Sequence, residues 1–575
     1  MMKHLIPYLK KYKLEAIIAP LFKMLEACFD LFVPLIVAGI IDVGIAGGDR
    51  RYIAWRFAIL ILMALLGLLC SFAAQYFAAK AATGTATGLR SALLTKIQSF
   101  SFTELDKIGT STLITRMTSD INQVQNGINM FLRLFLRSPF IVFGAMILAF
   151  TINARIALVF AAVIVILFVI VFGIIFITAP MYKNVQEKLD GITGAVREDL
   201  NGVRVIRAFG REDVQEKLFA KADSALFTAQ EKAAKAAALM NPLTYLVINT
   251  GIILILWLGA KKVDSGILLS GNIIALINYI SQILVELVKL ANLVVLLGKS
   301  ISGMGRIGKI LDADTSMKFD GGKTGKDCDE ILRFDDVSLK YAESGAESLS
   351  DISFSLKKGE TLGIIGGTGS GKSSLVHLIP RFYDATGGTV YLKGVPIKEL
   401  SKEAVLSAVA IADQKPRLFS GTIRSNLLFA KPGASDDEIW QALETAQAAE
   451  FVKKKSGGLD EPTAQGGANF SGGQKQRLTV ARAVLAGADI LILDDSASAL
   501  DYATDAALRK ALKKLSGKLS VIIVSQRTSA VSGADNILVL DDGKAVGYGK
   551  HEELLENCEV YKEIYESQFG EAKKA

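Results

Sequence analysis

The chain has 575 residues, 51% of them hydrophobic, and a formal net charge of +8. Its mean hydropathy of +0.37 is too high for an ordinary soluble protein, and its length leaves room for several domains. The Lys and Arg residues are spread along loops beside apolar runs with no interleaved aromatic platform, which argues against nucleic acid as a partner; Cys28, Cys70, Cys328 and Cys558 form no CxxC pair, so neither a disulfide framework nor a zinc site follows.

From the N-terminus, Met1 to Lys13 is short and basic. The apolar run after it is too long, and too interrupted by Lys23, Glu26 and Asp30, for a cleaved signal, so it is expected to stay and to span a membrane. Six spans are predicted, Leu14–Asp42, Ala54–Ala79, Phe131–Ile152, Ile156–Ala179, Met240–Ala260 and Ile267–Leu297, each able to form about 20 or more helical residues and so cross about 30 Å of hydrocarbon. The connections after the second and fourth spans, Lys80–Met130 and Met181–Leu239, are long, polar and free of proline. They read as helical arms reaching into the cytoplasm. The second carries Lys183, Lys188, Arg197, Arg204, Arg207 and Arg211, as the positive-inside rule expects, although Arg50, Arg51, Lys261 and Lys262 fall on the outer side.

Ionisable residues recur at helical spacing inside two spans. Lys23, Glu26 and Asp30 share one face of the first, and Glu286 and Lys289 share one face of the sixth. Charge at that depth is costly unless it faces protein or water. Asp30 and Glu286 are therefore candidates for a substrate cavity, with helix-orienting pairs as the other reading.

Residues 312–330 are rich in Gly, Lys and Asp and form a linker, after which ILRFDDVSLKY, DISFSL and TLGIIG read as strands of an α/β domain. Thr361–Ser374, TLGIIGGTGSGKSS, is a P-loop. An apolar strand breaks into Gly366, Gly367, Thr368, Gly369, Ser370 and Gly371, and glycines let backbone N–H groups close on phosphate oxygens. Lys372 then reaches the terminal phosphates, Ser373 ligates Mg²⁺, and the helix continuing through Ser374 aims its positive end at the anion. Downstream, ADILILDD is an apolar strand ending in Asp494, placed to hold the Mg²⁺ hydration shell. Before it, FSGGQ opens another helix: Ser471, Gly472, Gly473 and Gln474 make a second phosphate-cradling surface.

At these residues the chain resembles a half-transporter of the ATP-binding cassette exporters. The P-loop, Gln414 in IADQKPRLF, the signature FSGGQ, the Walker B run and the D-loop Ser498–Asp501 stand in order, and Tyr341 matches the family's adenine-stacking aromatic. DKIGTSTLITRMTSD (106–120) and LNGVRVIRAFGRED (200–213) are similar to its cytoplasmic coupling segments. The resemblance implies an all-α membrane domain with two coupling loops at 1–311, the linker at 312–330, an α/β P-loop ATPase domain at 331–570 and a tail at 571–575. It further implies ATP and Mg²⁺ as ligands, with Ser373, Gln414 and Asp494 on the metal. The setting is the cytoplasmic membrane, with lipid around the spans and the ATPase domain inside. Two cassettes pack head to tail in this family, so a partner chain is required.

Two positions depart from the pattern. The family's catalytic Glu after Walker B is Asp495 here, one methylene short, and the switch His after the last core strand is Gln526, which cannot become a cation. Gln465 also stands where many members carry Glu. With Lys372, Asp494 and FSGGQ intact, the expectation is an asymmetric pair. This chain would bind ATP in a slow site and complete a competent site on a different half-transporter, moving hydrophobic or amphipathic drugs, lipids or peptides outward. A slow homodimer, an ATP-gated channel and a chelate importer are the alternatives.

Overall fold

A computed structural model of the chain describes residues 2–319, 321–326, 328–341, 345–496, 498–515, 517 and 519–569; the tail expected at 571–575 lies outside them. The chain forms two compact units, Met1–Gln98 with Thr110–Ala313, and Ser99–Gly109 with everything from Asp314 onward. The short segment 99–109 therefore groups with the second unit, unlike the boundary at 311 read from the sequence. Its contacts explain why: Phe102 stacks on Phe382 at 4.5 Å, and Tyr383 Oη donates to Asp106 Oδ2 at 2.5 Å.

The first unit contains six helical stretches long and apolar enough to cross a membrane: Lys13–Ile45, Arg50–Gln98, Thr110–Ile152, Ala154–Ala208, Glu212–Asp264 and Ser270–Leu311. The polar arms continue these helices. The fourth runs 55 residues without a break, about 82 Å at the helical rise and more than twice a hydrocarbon core. Lipid tails are as apolar as leucine, so close packing rather than water exclusion must join the helices. Fully buried small residues supply it: Ala74, Ala78, Ala81 and Ala82 on the second span, and Ala19 and Ala27 on the first, which packs against it. Large residues such as Leu62, Leu65, Leu69 and Phe72 point outward. The first and sixth spans meet backbone to backbone at Gly271. A Cβ there would meet the Ala38 carbonyl oxygen at 2.4 Å, and the Gly271 N–H donates to Asp42 Oδ1 at 2.6 Å.

The charged positions of the first and sixth spans join through a residue of the third. Arg137 donates to Glu286 Oε1 at 2.5 Å and to Asp30 Oδ2 at 2.8 Å, while Ser138 and Lys289 donate to Glu286 at 2.7 and 2.9 Å. Lys23 pairs with Glu26 at 2.6 Å and reaches Ser71 on the second span at 3.3 Å. These ions are thus partnered across helices, and Asp30, Arg137 and Glu286 also line a cavity of about 330 Å³.

In the second unit, two sheets divide the work. β1 (Glu330–Leu339), β2 (Leu349–Lys357), β4 (Gly387–Leu392) and β5 (Val395–Pro396) form an antiparallel sheet in the order β2-β1-β4-β5. β3 (Thr361–Gly366), β6 (Val409–Ala412), β9 (Ile490–Asp494), β10 (Ser520–Ser525), β11 (Asn536–Asp541) and β12 (Lys544–Gly549) form the other, ordered β12-β11-β3-β10-β9-β6. Only its β12 edge is antiparallel. A small ladder pairs β7 (Gly421–Thr422) with β8 (Pro462–Thr463). The parallel strands are apolar on both faces because helices and the other sheet cover them; β9 is buried at every position.

Arg137 bridges Asp30 and Glu286, so Arg137→Met keeps the length of the side chain, takes the cation from Asp30 and leaves Glu286 to Lys289 and Ser138. Removing one member of a buried pair costs about 3–5 kcal/mol. We expect a clear drop in the melting temperature of the detergent-solubilised protein, and partial recovery in Arg137→Met/Glu286→Met. A double variant no more stable than the single one would show that the pair does not hold the helices.

Candidate functional site

The C-terminal ends of the parallel strands deliver the polar residues. β3 runs into the P-loop, β6 into Asp413 and Gln414, β9 into Asp494 and Asp495, and β10 into Gln526. A crevice outside such strand ends is where an open parallel sheet binds its ligand. Here it is a cavity of about 400 Å³ whose lining includes Thr368, Lys372, Ser373, Gln414, Asp495 and Gln526.

The P-loop turns through Gly369 and Gly371 at φ of 86° and 92°, conformations that glycine alone adopts without cost, and helix Lys372–Leu378 begins at once. Lys372 Nζ folds back onto the Gly366 and Gly367 carbonyl oxygens at 2.9 and 2.5 Å and lies 3.3 Å from Ser370 Oγ. Burial pushes this ammonium below its ordinary range, against the pull of Asp495 and Asp494. A polyanion in the cavity would restore the charged form. Ser373 Oγ lies 3.5 Å from Asp494 Oδ1. Burial raises the Asp494 carboxyl above the usual carboxylate range, with His377 and the Ser373 hydroxyl opposing.

Among the described residues no cluster of three His, Cys, Asp or Glu side chains could hold a metal ion. The residues present still fit Mg²⁺, which is held by one or two protein oxygens, water and substrate phosphates. Ser373 would ligate it and Asp494 would hold its water shell, and the ion would neutralise phosphate charge.

Asp495 sits at φ 43°, its N–H donating to the Val524 carbonyl at 3.0 Å, and Gln414 Nε2 donates to its Oδ2 at 3.3 Å. Gln526 is exposed beside it, its own carbonyl accepting from Gln568 Nε2 at 2.8 Å. Tyr341 is half-buried, meets the Tyr383 ring edge-on at 5.1 Å, and donates to Ser374 Oγ at 3.0 Å.

The serine-glycine surface is separate. Ser471 caps helix Gly472–Leu485 and exchanges bonds with Gln474 in both directions, at 3.3 and 3.1 Å. Gly473 packs so close to the D-loop that a Cβ would lie 3.0 Å from the Ala499 oxygen. Asp501 caps the following helix by accepting from the Thr504 N–H, and the Thr504 hydroxyl together with that N–H holds its carboxyl below the ordinary range. None of residues 471–474 lines the nucleotide cavity. Sequence reasoning missed Glu347 and the Asp542–Gly543 turn, which do line it. The Asp-Gly pair between two apolar runs was the available signal.

Two family models match, the ABC transporter transmembrane region over residues 16–287 and the ABC transporter over 349–498. The chain is 35% identical over 569 residues to the ABC transporter ATP-binding protein YfiB of Bacillus subtilis, covering 99% of each. It is 29% identical to the ATP-dependent lipid A-core flippase of Hahella chejuensis, with 89% of each covered. In fold it resembles a solved bacterial Atm1-family ABC exporter with ATP bound, with a TM-score of 0.80 at 21% identity over 97% of this chain and 98% of that one. The chain belongs to the ABC transporter family: a multi-pass membrane protein with an exporter fold, whose cytoplasmic ATPase domain binds ATP with Mg²⁺ and couples its hydrolysis to transport.

Proposed function

We propose that the chain is the slow-site half of a heterodimeric exporter of hydrophobic or amphipathic compounds. The observation that carries this reading is the contrast between an intact binding apparatus, Lys372, Ser373 and Asp494, and an altered hydrolytic one, Asp495 and Gln526. Asp495 is held by Gln414, so its carboxylate is one methylene short of where the family's Glu would present it. A misplaced general base forfeits much of the roughly 10²- to 10⁴-fold that such catalysis supplies. Gln526 has no imidazole to add positive charge beside the γ-phosphate.

The partner is supported by the separation of the Ser471–Gln474 surface from this chain's own cavity, since a phosphate-cradling helix start is useful against another chain's nucleotide. The hairpin tip between the fourth and fifth spanning helices exposes Leu200, Val205 and Phe209 by 69%, 61% and 76%, apolar surface of the kind that a partner covers. The likeness to flippases of lipid A-core favours lipid-like amphiphiles as cargo.

In the working cycle, ATP closes the two cassettes, the long arms carry that motion to the membrane helices, and hydrolysis at the partner's site resets them. ATP held here without turnover keeps the cassettes partly engaged, which biases a two-state equilibrium.

The decisive measurement is ATPase activity of the chain alone and with candidate partner half-transporters. Asn tolerates the positive φ of residue 495 as Asp does, so Asp495→Asn isolates the carboxylate. We expect the equivalent change in the partner to abolish turnover and Asp495→Asn to spare most of it. Asp495→Glu with Gln526→His should raise hydrolysis at this chain's site by roughly tenfold or more. Robust cooperative turnover by copies of this chain alone would instead favour a homodimer.

Asp494 allows a second test. Its folded-state carboxyl is raised, so folding favours the protonated form, and the resulting stabilisation is lost as pH rises through the ordinary carboxylate range toward the raised value. At neutral pH the buried charge is a cost. Asp494→Asn should therefore raise the melting temperature of the nucleotide-free cassette transition while removing the stabilisation by Mg·ATP, which in the wild type reaches about 2.7 kcal/mol at a ligand concentration of 100 times Kd. An Asp494→Asn protein still stabilised by Mg·ATP would remove this residue from the site.

A further inference from the structure

The cavity of about 330 Å³ in the membrane unit is walled by a line of alternating charges: Asp30, Arg137, Glu286 and Lys289. The two inner ions are buried, with side-chain exposures of 10% for Arg137 and 4% for Glu286, and they neutralise each other. The two outer ions are half-open, 45% for Asp30 and 41% for Lys289. Each outer ion already has one partner and still presents a free face. Their depths agree as well. Asp30 lies 15 residues before Ile45, Arg137 15 before Ile152, and Glu286 16 after Ser270, which puts all three about 22–24 Å from the outer helix ends.

The rest of the wall is built for a polar guest. On the sixth span Asn278, Ser281, Gln282 and Val285 precede Glu286 and Lys289 at spacings of three and four, so one helical face turns toward the cavity. Buried Arg137 Nε and Gln282 Oε1 lack hydrogen-bond partners, an unsatisfied donor and an unsatisfied acceptor in the same wall. Leaving such atoms unpaired is expensive unless a rearranged side chain or a bound molecule completes them. The volume equals about eleven waters at bulk density, enough for a head group or a small peptide.

We propose that this cavity binds the zwitterionic part of a small amphiphile, its ammonium against Asp30 and its carboxylate or phosphate against Lys289. A singly charged guest would gain a contact at one open ion and leave the free face of the other to water, whereas a guest with both charges gains both contacts. The assignment rests on the reading of the membrane half as a path for amphipathic substrates, and it names their polar chemistry. Both a soluble peptide and a phosphatidylethanolamine head group carry it.

The test uses the assembled transporter in nanodiscs of phosphatidylglycerol, with leucyl-leucine as probe and calorimetric titration as readout. N-acetyl-leucyl-leucine lacks the ammonium, and leucyl-leucinamide lacks the carboxylate. The unblocked dipeptide should bind at least about tenfold more tightly than either, the worth of one charge-assisted hydrogen bond. Asp30→Asn should erase the preference over the acetylated form alone, and Lys289→Gln the preference over the amide alone. This crossed pattern is one that misfolding cannot produce. A second arm replaces half of the lipid with phosphatidylethanolamine. Weaker dipeptide binding there identifies the lipid head group as the natural occupant, and unchanged binding identifies a soluble zwitterion; both keep the proposal.

Equal affinity for all three peptides, or no dipeptide binding in phosphatidylglycerol, overturns it. ATP turnover of the same preparation is measured without peptide. A transporter that turns over ATP but does not distinguish the peptides refutes the ligand alone, whereas turnover that needs no distinct partner refutes the heterodimer and leaves the peptide result standing.

Discussion

Strand β10 pairs in parallel with β3 on one side and β9 on the other, and the nucleotide site depends on that double register. Ser525 stands opposite Ile365, one residue before the P-loop begins, and Val524 stands opposite Asp494. Lys372, Asp494 and Gln526 thus come from three separate stretches of chain yet end at one level. The Asp495 N–H bonded to the Val524 carbonyl extends the ladder one residue past the last strand position and sets where the shortened carboxylate can reach. A slip in register here would turn the polar ends away from one another.

The membrane unit solves a different problem. It has no hydrophobic drive to join helices, so it relies on buried alanines for close approach and on ions for specificity. Arg137 is the pivot, because one guanidinium fork can bind carboxylates from two other helices at once. Arg137 and Glu286 are the buried members, whereas Asp30 and Lys289 retain open faces, so packing and the proposed recognition fall to neighbouring members of one network.

Much of this was legible in the sequence. Six apolar stretches predicted six spanning helices, and the absence of proline in the polar arms predicted their continuation, now seen as helices of 49 and 55 residues. The glycine spacing of the P-loop and the acid at the end of an apolar strand marked Lys372, Ser373 and Asp494, which meet in one cavity. Asp30 and Glu286 were visible as costly charges, but their partner was not. Arg137 sits at the entrance of a span, where basic residues are ordinarily topology signals, and only the fold brings it between two carboxylates. The attachment of segment 99–109, part of which reads as a coupling segment, was hidden for the same reason. Its attachment rests on Phe102 meeting Phe382 and Asp106 meeting Tyr383, contacts nearly 280 residues apart that leave no local periodicity.

The architecture also keeps nucleotide binding apart from the positions that the proposed reading makes slow. Nucleotide affinity draws on backbone geometry and Lys372, which are fixed by β3 and the helix that follows. In the proposed reading, water activation would draw on the side-chain length at position 495 and on the chemistry at position 526, neither of them in the buried core: Gln526 is exposed, and Asp495 is half-buried at a positive φ. The signature surface draws on neither, being set by the Ser471 cap and the close approach of Gly473 to the D-loop. Three functions therefore rest on three nearly independent structural supports. Substitutions can accumulate in the hydrolytic one without unfolding the cassette or spoiling the surface that it presents to another chain, which is the physical condition an asymmetric transporter needs.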